Sequence, residues 1–300
     1  DPPYKFHWIR DSSLVMKAVI DVYSKTKSME YFILIINYLE NELSIQNLNT
    51  MTGLGEPKIN IDGSPYNEPW GRPQNDGPAL RGLNMIKIYH LLKNDYPNIV
   101  NLLVKKILIN DIKYVTENYN KPCFDLWEEI IGWHFYTRIV QFKFIKEFIK
   151  LNNQNYIYDS NTDLNQIHNY YLQNIKHHIS KDTIISSFDK DGNIIRWDDA
   201  SILLGLSHVD YDKDVFNIFG INRFNSVAKN LIKYFNEKYD KSLNLIGRYK
   251  NDAYYNGEAW IICSLALCQF YMKINELNNK DFQEEYRLAV KLFMYIINID

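Results

Sequence analysis

Trp70-Gly71-Arg72-Pro73-Gln74-Asn75-Asp76-Gly77-Pro78-Ala79-Leu80-Arg81 runs from a polar, aromatic loop straight into a helix. Pro78 suits a first helical turn, because its missing N–H is one the turn leaves unpaired anyway. Apolar residues then recur with a helical period to about Leu92. Trp70, Arg72 and Asp76 would project from the loop. The alternative is structural: Gly and Pro shape turns, and Arg72 pairs with Asp76.

This loop-then-helix unit recurs. Leu14, Val15, Ala18, Val19 and Val22 mark a helix, and Tyr31, Leu34, Ile35, Tyr38 and Leu39 a second. After the helix at about 78–92, the same period predicts helices over about 99–115, 130–149, 163–178, 199–206, 226–239, 257–274 and 282–297. Polar loops bearing Gly or Pro separate them, notably 52–72, 119–123, 189–198 and 247–256. Strand signals are weak, with one short candidate at 184–188. The pattern is all-α. No linker divides the 300 residues, so one domain is expected. Loops this long inside a compact domain are usually functional. Both ends read as cut: Asp1-Pro2-Pro3-Tyr4 resembles interior sequence, and the last helix reaches Asp300 without a cap.

Four of the loops carry chemistry. His7-Trp8-Ile9-Arg10-Asp11 places a guanidinium fork beside an acceptor, which suits vicinal hydroxyls. Here the simple alternative is Asp11 as a helix N-cap. The loop from Gly53-Leu54-Gly55-Glu56-Pro57-Lys58 to Arg81 is the second. Asp125-Leu126-Trp127-Glu128-Glu129 is the third, with three carboxylates in five residues around a Trp. Such crowding is costly unless one carboxyl stays protonated or each has a partner. A protonatable carboxyl beside an aromatic face is what acetal hydrolysis needs. The bland reading is acidic residues in a first helical turn, favoured by the dipole. The fourth loop is Gly247-Arg248-Tyr249-Lys250-Asn251-Asp252-Ala253-Tyr254-Tyr255-Asn256-Gly257, followed by Trp260. There a surface pair of Arg248 with Asp252 would contribute little. If the helices close into a double ring, these loops gather at one end as a pocket of carboxylates, Arg and Trp suited to a sugar.

Composition narrows the field. A net charge of −2, with Lys and Arg dispersed, gives no electrostatic footprint for nucleic acid. No apolar run reaches the ~18 residues of a membrane span. Cys123, Cys263 and Cys268 fit no zinc spacing, and five residues along a helix is a poor disulfide separation for the last two. All three are expected as buried free thiols. No Asn-X-Ser/Thr acceptor occurs. No metal or other cofactor is expected.

The segments together resemble the conserved regions of glucoamylases, the inverting exo-acting glucan 1,4-α-glucosidases. Trp8-Ile9-Arg10-Asp11-Ser12, Gly53 to Lys58, Trp70 to Arg81, Asp125 to Gly132, Asp199 to His208 and Gly247 to Gly257 follow the family's patterns in the family's order. The resemblance implies an (α/α)₆ barrel, a toroid of six helical hairpins. It implies an α-glucan (starch, glycogen or maltooligosaccharide) as the one partner, neither nucleic acid nor membrane, and a monomer. By motif position, Glu128 would be the general acid and Asp125 a neighbour that tunes it. Arg10, Asp11, Glu129 and Arg248 would bond the hydroxyls of the first glucose. Trp70 and Trp127 would line the first subsites, with Arg72, Asp252 and Trp260 also in the substrate-binding loops. An inverting enzyme needs a second carboxylate to activate water. In the family it lies in a Ser-Glu-Gln-like segment, and none occurs before Asp300. The base is therefore expected beyond this sequence, in a domain also lacking its first and last helices.

Departures from the family pattern fall at Phe6-His7, Trp133-His134 and Lys250-Asn251, which bear on outer subsites. Related readings on the same barrel are a dextran- or trehalose-cleaving hydrolase, or a non-catalytic glucan-binding regulator like the barrel region of phosphorylase kinase regulatory subunits. The compartment stays open: many relatives are secreted, while few Cys and no glycosylation acceptors suit a bacterial or intracellular setting.

Overall fold

The structure is a computed structural model that describes residues 4–158, 162–210, 217–239, 243–277 and 280–298. Residues 1–3 and Asp300, where the ends read as cut, lie outside them. Ten helices longer than one turn are present among the described residues. They are α1 (Ile9–Thr26), α2 (Met29–Gln46), α3 (Asp76–Leu92), α4 (Lys105–Asn118), α5 (Phe135–Asn155), α6 (Leu164–Lys176), α7 (Ala200–Leu206), α8 (Ile221–Phe235), α9 (Ile261–Glu276) and α10 (Gln283–Ile297). None of the described helices is long and apolar enough to cross a membrane. The chain forms two compact units, one of Asp1–Gly132 with Val140–Leu172 and one of Trp133–Ile139 with Gln173–Asp300.

In the first unit α3 packs between α1 and α4, and α2 packs on both of those helices. Residues on every side of α3 are buried, Asp76, Arg81 and Asn84 among them. α1 buries a single stripe, Ile9, Ser13, Met16, Ile20 and Tyr23, as its 3.6 period demands. Polar groups inside such a core need partners. Asn84 Nδ2 donates to the Ser13 carbonyl at 2.7 Å. Arg81 is shared by two buried carboxylates, with Nη1 2.9 Å from Glu42 Oε2 and Nη2 2.6 Å from Asp111 Oδ1. Gly55 leaves no room for a side chain: a Cβ there would lie 2.0 Å from Tyr114 Oη. That contact seats the 53–57 turn on α4.

In the second unit α9 packs on α10 and α7, and α8 also packs on α7. The Asp199 carboxylate caps α7 by accepting from Ser201 N at 2.7 Å. Phe135, Phe219 and Phe224 meet with ring centroids 5.6 to 6.1 Å apart. Cys123, Cys263 and Cys268 are buried thiols outside any disulfide, as expected.

The strands depart from the sequence reading. Besides the expected strand, which is β5 (Ser187–Phe188), there are β1 (Phe6–Trp8), β2 (Lys58–Asn60), β3 (Cys123–Phe124), β4 (Ile131–His134) and β6 (Ile194–Arg196). β1 and β2 pair antiparallel with Trp8 opposite Lys58. β3 pairs antiparallel with the start of β4, Cys123 opposite Gly132 and Phe124 opposite Ile131. The helix expected from about 130 therefore begins at Phe135, and residues 131–134 are extended. Asp125–Glu129 is the tip of a hairpin, so the reading of its carboxylates as a dipole-stabilised helix start is wrong. A run of four residues such as 131–134 fits a strand as well as a helix, and here pairing decides, with β3 at Ile131 and Gly132 and with β5 at Trp133 and His134.

Candidate active site

The site in the first unit begins with β1 and β2. Side chains alternate along a strand, so Phe6 and Trp8 share one face and His7 takes the other. Residues paired across two strands face the same way. Lys58 therefore points to the side of Phe6 and Trp8. Its ammonium lies 4.1 Å from the Phe6 ring centroid and 5.1 Å from that of Trp8. The loop after β2 adds Tyr66 at 4.1 Å and Trp70 at 3.2 Å. On the other face His7 Nε2 bonds Glu42 Oε1 at 2.9 Å, and Ile59 joins Ile9 and Ile45 in a core cluster.

α1 follows β1 directly. Its N-cap is Trp8, and Asp11 sits within the first turn, so Asp11 is not the cap. Arg10 is buried, and its Nη1 donates to Gln74 Oε1 at 2.8 Å and Asp76 Oδ2 at 3.0 Å. The Asp11 side chain is 65% exposed, its Oδ2 3.9 Å from Arg10 Nε. Desolvation by the surrounding walls raises its pKa above the usual carboxylate range; Arg10 opposes this, and the charges of Glu128 and Asp76 add to it.

The β3–β4 hairpin brings in Glu128. Asp125 N donates to Ile130 O at 3.0 Å, and Glu128 N closes a turn on Asp125 O at 3.0 Å. The buried Asp125 carboxylate pins the tip by accepting at Oδ1 from Glu129 N (2.8 Å) and Ile130 N (3.1 Å). Glu128 itself has φ +66°, left-handed backbone that a non-glycine residue adopts at a cost. The return is orientation: its Oε1 accepts from Gln74 Nε2 at 2.9 Å and Trp8 Nε1 at 3.1 Å, with Arg10 Nη2 3.9 Å away. Its Oε2 makes no hydrogen bond among the described residues, and the side chain keeps 17% exposure. Behind it, a Cβ on Gly71 would stand only 2.7 Å from the Glu128 carbonyl oxygen, so the Trp70 loop is pressed onto the hairpin. Trp127 is half-buried and Glu129 exposed at the same tip, and Trp70 is 39% exposed.

Arg72 does not pair with Asp76. Its Nε donates to Glu56 Oε1 at 2.7 Å, Nη1 to Glu68 O at 2.9 Å and Nη2 to Tyr66 O at 3.2 Å. It ties its own loop together. Three of the four loops thus meet around Glu128. Gln74, Trp8 and Lys58, quoted above only within longer motifs, prove central. Nothing local marks them: their partners lie 54 residues from Gln74 and 120 from Trp8 along the chain.

The second unit holds the fourth loop. Arg248 and Asp252 are buried and joined by two bonds, Nε to Oδ2 at 2.7 Å and Nη2 to Oδ1 at 2.6 Å. This is a fork-to-fork pair, not the surface pair of the simple reading. Burial works against the Asp252 carboxylate, but the Arg248 bonds, the Tyr254 N–H and the Arg248 charge outweigh it and hold the pKa below the usual range. The Tyr249, Tyr254 and Trp260 rings lie 5.2, 5.0 and 5.2 Å from the guanidinium carbon. Tyr255, Asn256 and Gly257 are all left-handed, with φ 46°, 58° and 62°.

Against known families, the chain matches the one described as glycosyl hydrolases family 15 over residues 1–296. It is 43% identical over 160 residues to Glucoamylase-1 of Arthroderma benhamiae, covering 50% of this chain and 26% of that protein. It is 29% identical over 334 residues to the glucoamylase of Blastobotrys adeninivorans, covering 93% of this chain and 50% of that one. Among solved structures, the Hypocrea jecorina glucoamylase superposes with a TM-score of 0.82 at 27% identity, over 92% of this chain and 50% of that one. The Hormoconis resinae glucoamylase gives 0.80 at 27% identity, over 91% and 49%. The chain therefore spans half or less of the length of these relatives. Its fold class is theirs: all-α, of the (α/α)₆ barrel type.

Proposed function

This chain belongs to glycosyl hydrolases family 15, and from that premise we propose that it acts in an exo-hydrolase releasing glucose from the non-reducing ends of α-1,4-glucans with inversion. One observation carries the proposal: Glu128 has one carboxyl oxygen held by two N–H donors and the other without a hydrogen bond among the described residues. Donors at Oε1 favour the carbonyl character there, which leaves the proton on Oε2. A proton donor for a leaving-group oxygen needs that arrangement.

The other roles follow from what each side chain touches. Asp125 fixes the turn that aims Glu128. Arg10, oriented by Gln74 and Asp76, supplies donors to sugar hydroxyls, and Asp11 and Glu129 supply acceptors. Trp70 and Trp127 offer ring faces for stacking, and Arg72 braces the loop that carries Trp70. In the second unit Arg248, held by Asp252 beside Trp260, is a further donor to sugar hydroxyls. We assign both units to one catalytic domain, because the family match runs through both.

The test is glucose release by the full-length protein from maltotriose, with the anomer read by NMR. β-Glucose as first product supports inversion of an α-linkage. Glu128→Gln should cost about 10²- to 10⁴-fold in kcat, the span of a general acid's contribution. Unchanged turnover in that variant removes Glu128 from its role. Glucose from isomaltose or trehalose alone would redirect the substrate assignment.

A further inference from the structure

Lys58 is buried, at 2% exposure, yet among the described residues its ammonium makes no hydrogen bond and no ion pair within 4.0 Å. A lysine this buried is normally paired, and the ammonium here keeps only slight contact with solvent. Here four ring faces surround it instead: Trp70, Phe6, Tyr66 and Trp8. Ring faces carry the negative lobe of the aromatic quadrupole, so they favour a cation at that point. The rings also brace one another. Phe6 meets Trp8 edge-on with centroids 5.5 Å apart, and Tyr66 meets Phe6 at 5.1 Å and Trp70 at 6.2 Å.

Two of these rings lead to Glu128. Trp8 donates its Nε1–H to Glu128 Oε1. Trp70 precedes Gly71, whose backbone lies against the Glu128 carbonyl. Trp8 belongs to β1 and Trp70 to the loop after β2, so the ammonium is the point at which both segments meet. We propose that Lys58 is a positioning residue: its charge clasps Trp8 and Trp70 together and thereby fixes the orientation of the Glu128 carboxyl. The catalytic part of this inference rests on the proposed role of Glu128 as proton donor.

Lys58→Met tests it in the full-length protein, because Met keeps an unbranched chain only one atom shorter and removes the ammonium. The near-ultraviolet circular dichroism of the tryptophans should change, and kcat on maltotriose should fall about tenfold. Lys58→Arg keeps a charge able to stack on rings and should lose clearly less than Lys58→Met, despite its larger head group. Trp8→Phe keeps a ring but deletes the N–H that reaches Glu128. If Lys58 acts through Trp8, the double variant Lys58→Met/Trp8→Phe loses clearly less than the product of the single losses. Strict multiplicativity of the two losses overturns the proposal. So does Lys58→Met with wild-type dichroism and kcat, or Lys58→Arg that folds yet loses as much as Lys58→Met. Should Lys58→Met not fold, Lys58→Gln, which is also neutral, takes its place in the same cycle with Trp8→Phe. The dichroism needs no substrate, so a wild-type protein inactive on every glucan would refute the hydrolase reading without touching the clasp.

Discussion

Replacing Gly71 by Ala should damage catalysis and stability together, by an amount the geometry bounds. An ideal Cβ at position 71 lies 2.7 Å from the Glu128 carbonyl oxygen, 2.9 Å from Phe124 Cδ1 and 3.3 Å from the Glu128 carbonyl carbon. Ordinary contact begins at 3.4 Å, so the Glu128 oxygen has to retreat by 3.4 − 2.7 = 0.7 Å. That atom is backbone, in a hairpin tip already held left-handed at φ +66°, so it has no flexible end to swing away. The disturbance spreads, because the Gly71 carbonyl accepts from Gln74 Nε2 at 3.0 Å and the same amide nitrogen donates to Glu128 Oε1. Overpacking of this kind costs about 1–3 kcal/mol of stability. A displacement approaching 1 Å at a reacting group costs up to about 100-fold in rate. Two-thirds of that displacement predicts a kcat loss of roughly 10- to 50-fold. Urea unfolding and steady-state glucose release would measure the two. Gly63→Ala is the control: Gly63 has φ +82° but nothing within 4 Å of a Cβ. It should lose only about 1 kcal/mol for the backbone and leave kcat alone. A Gly71→Ala protein with kcat within about twofold of wild type and stability within ~0.5 kcal/mol, the ordinary range of a surface change, would refute the reasoning.

Asp125→Asn keeps the acceptor of the Glu129 and Ile130 N–H groups but removes its charge. Charge-assisted bonds are about twice as strong as neutral ones, so a loss of about 1–2 kcal/mol in urea unfolding is expected. Asp111 gives a pH signature. Burial pushes its carboxyl up to about 6 despite Arg81, and the charge of Glu42 adds to the rise. Glu42 goes the other way: burial opposes its charge, but the His7 bond and Arg81 outweigh it, so its pKa is lowered. Two carboxylates thus compete for one guanidinium, and Asp111 is the one that takes the proton. Between the unfolded value of about 4 and the folded value of about 6 the native state binds the extra proton. This group's contribution to stability therefore falls as pH rises through that window. Urea midpoints measured across it should show that decline in the wild type and not in Asp111→Asn, which should also lose about 3–5 kcal/mol from the broken buried pair. Finally, burial raises the Cys263 thiol far above its usual range and the Cys268 thiol to about 12. With Cys123 also buried, a thiol reagent should label none of the three in the native protein and all three in urea. Fast native labelling of Cys263 or Cys268 would mean that α9 opens readily.

Much of this molecule is written locally. A 3.6 period needs only neighbours in sequence, so α1, α2, α3 and the helices after residue 160 are legible from apolar spacing. The loops that carry Arg10, Trp70, Glu128 and Arg248 announce themselves by composition, because sugar-binding groups are rare in ordinary turns. The short strands are different. β1, β2 and β3 span two or three residues each. No alternation can show at that length, and a strand exists only when a distant partner supplies its hydrogen bonds. That is why the 130–134 stretch reads as the start of a helix.

The sequence by itself determined the all-α class, the chemical groups of the site and the segments that bear them. Tertiary structure alone decided how those groups are shared. It turned Arg72 to Glu56, gave Asp76 to Arg10, set Glu128 in a left-handed turn backed by Gly71 and enclosed Lys58 among four rings. Each choice is a competition among several carboxylates, cations and rings for partners tens of residues away. Distance and burial settle such a competition, and neither exists until the chain has packed.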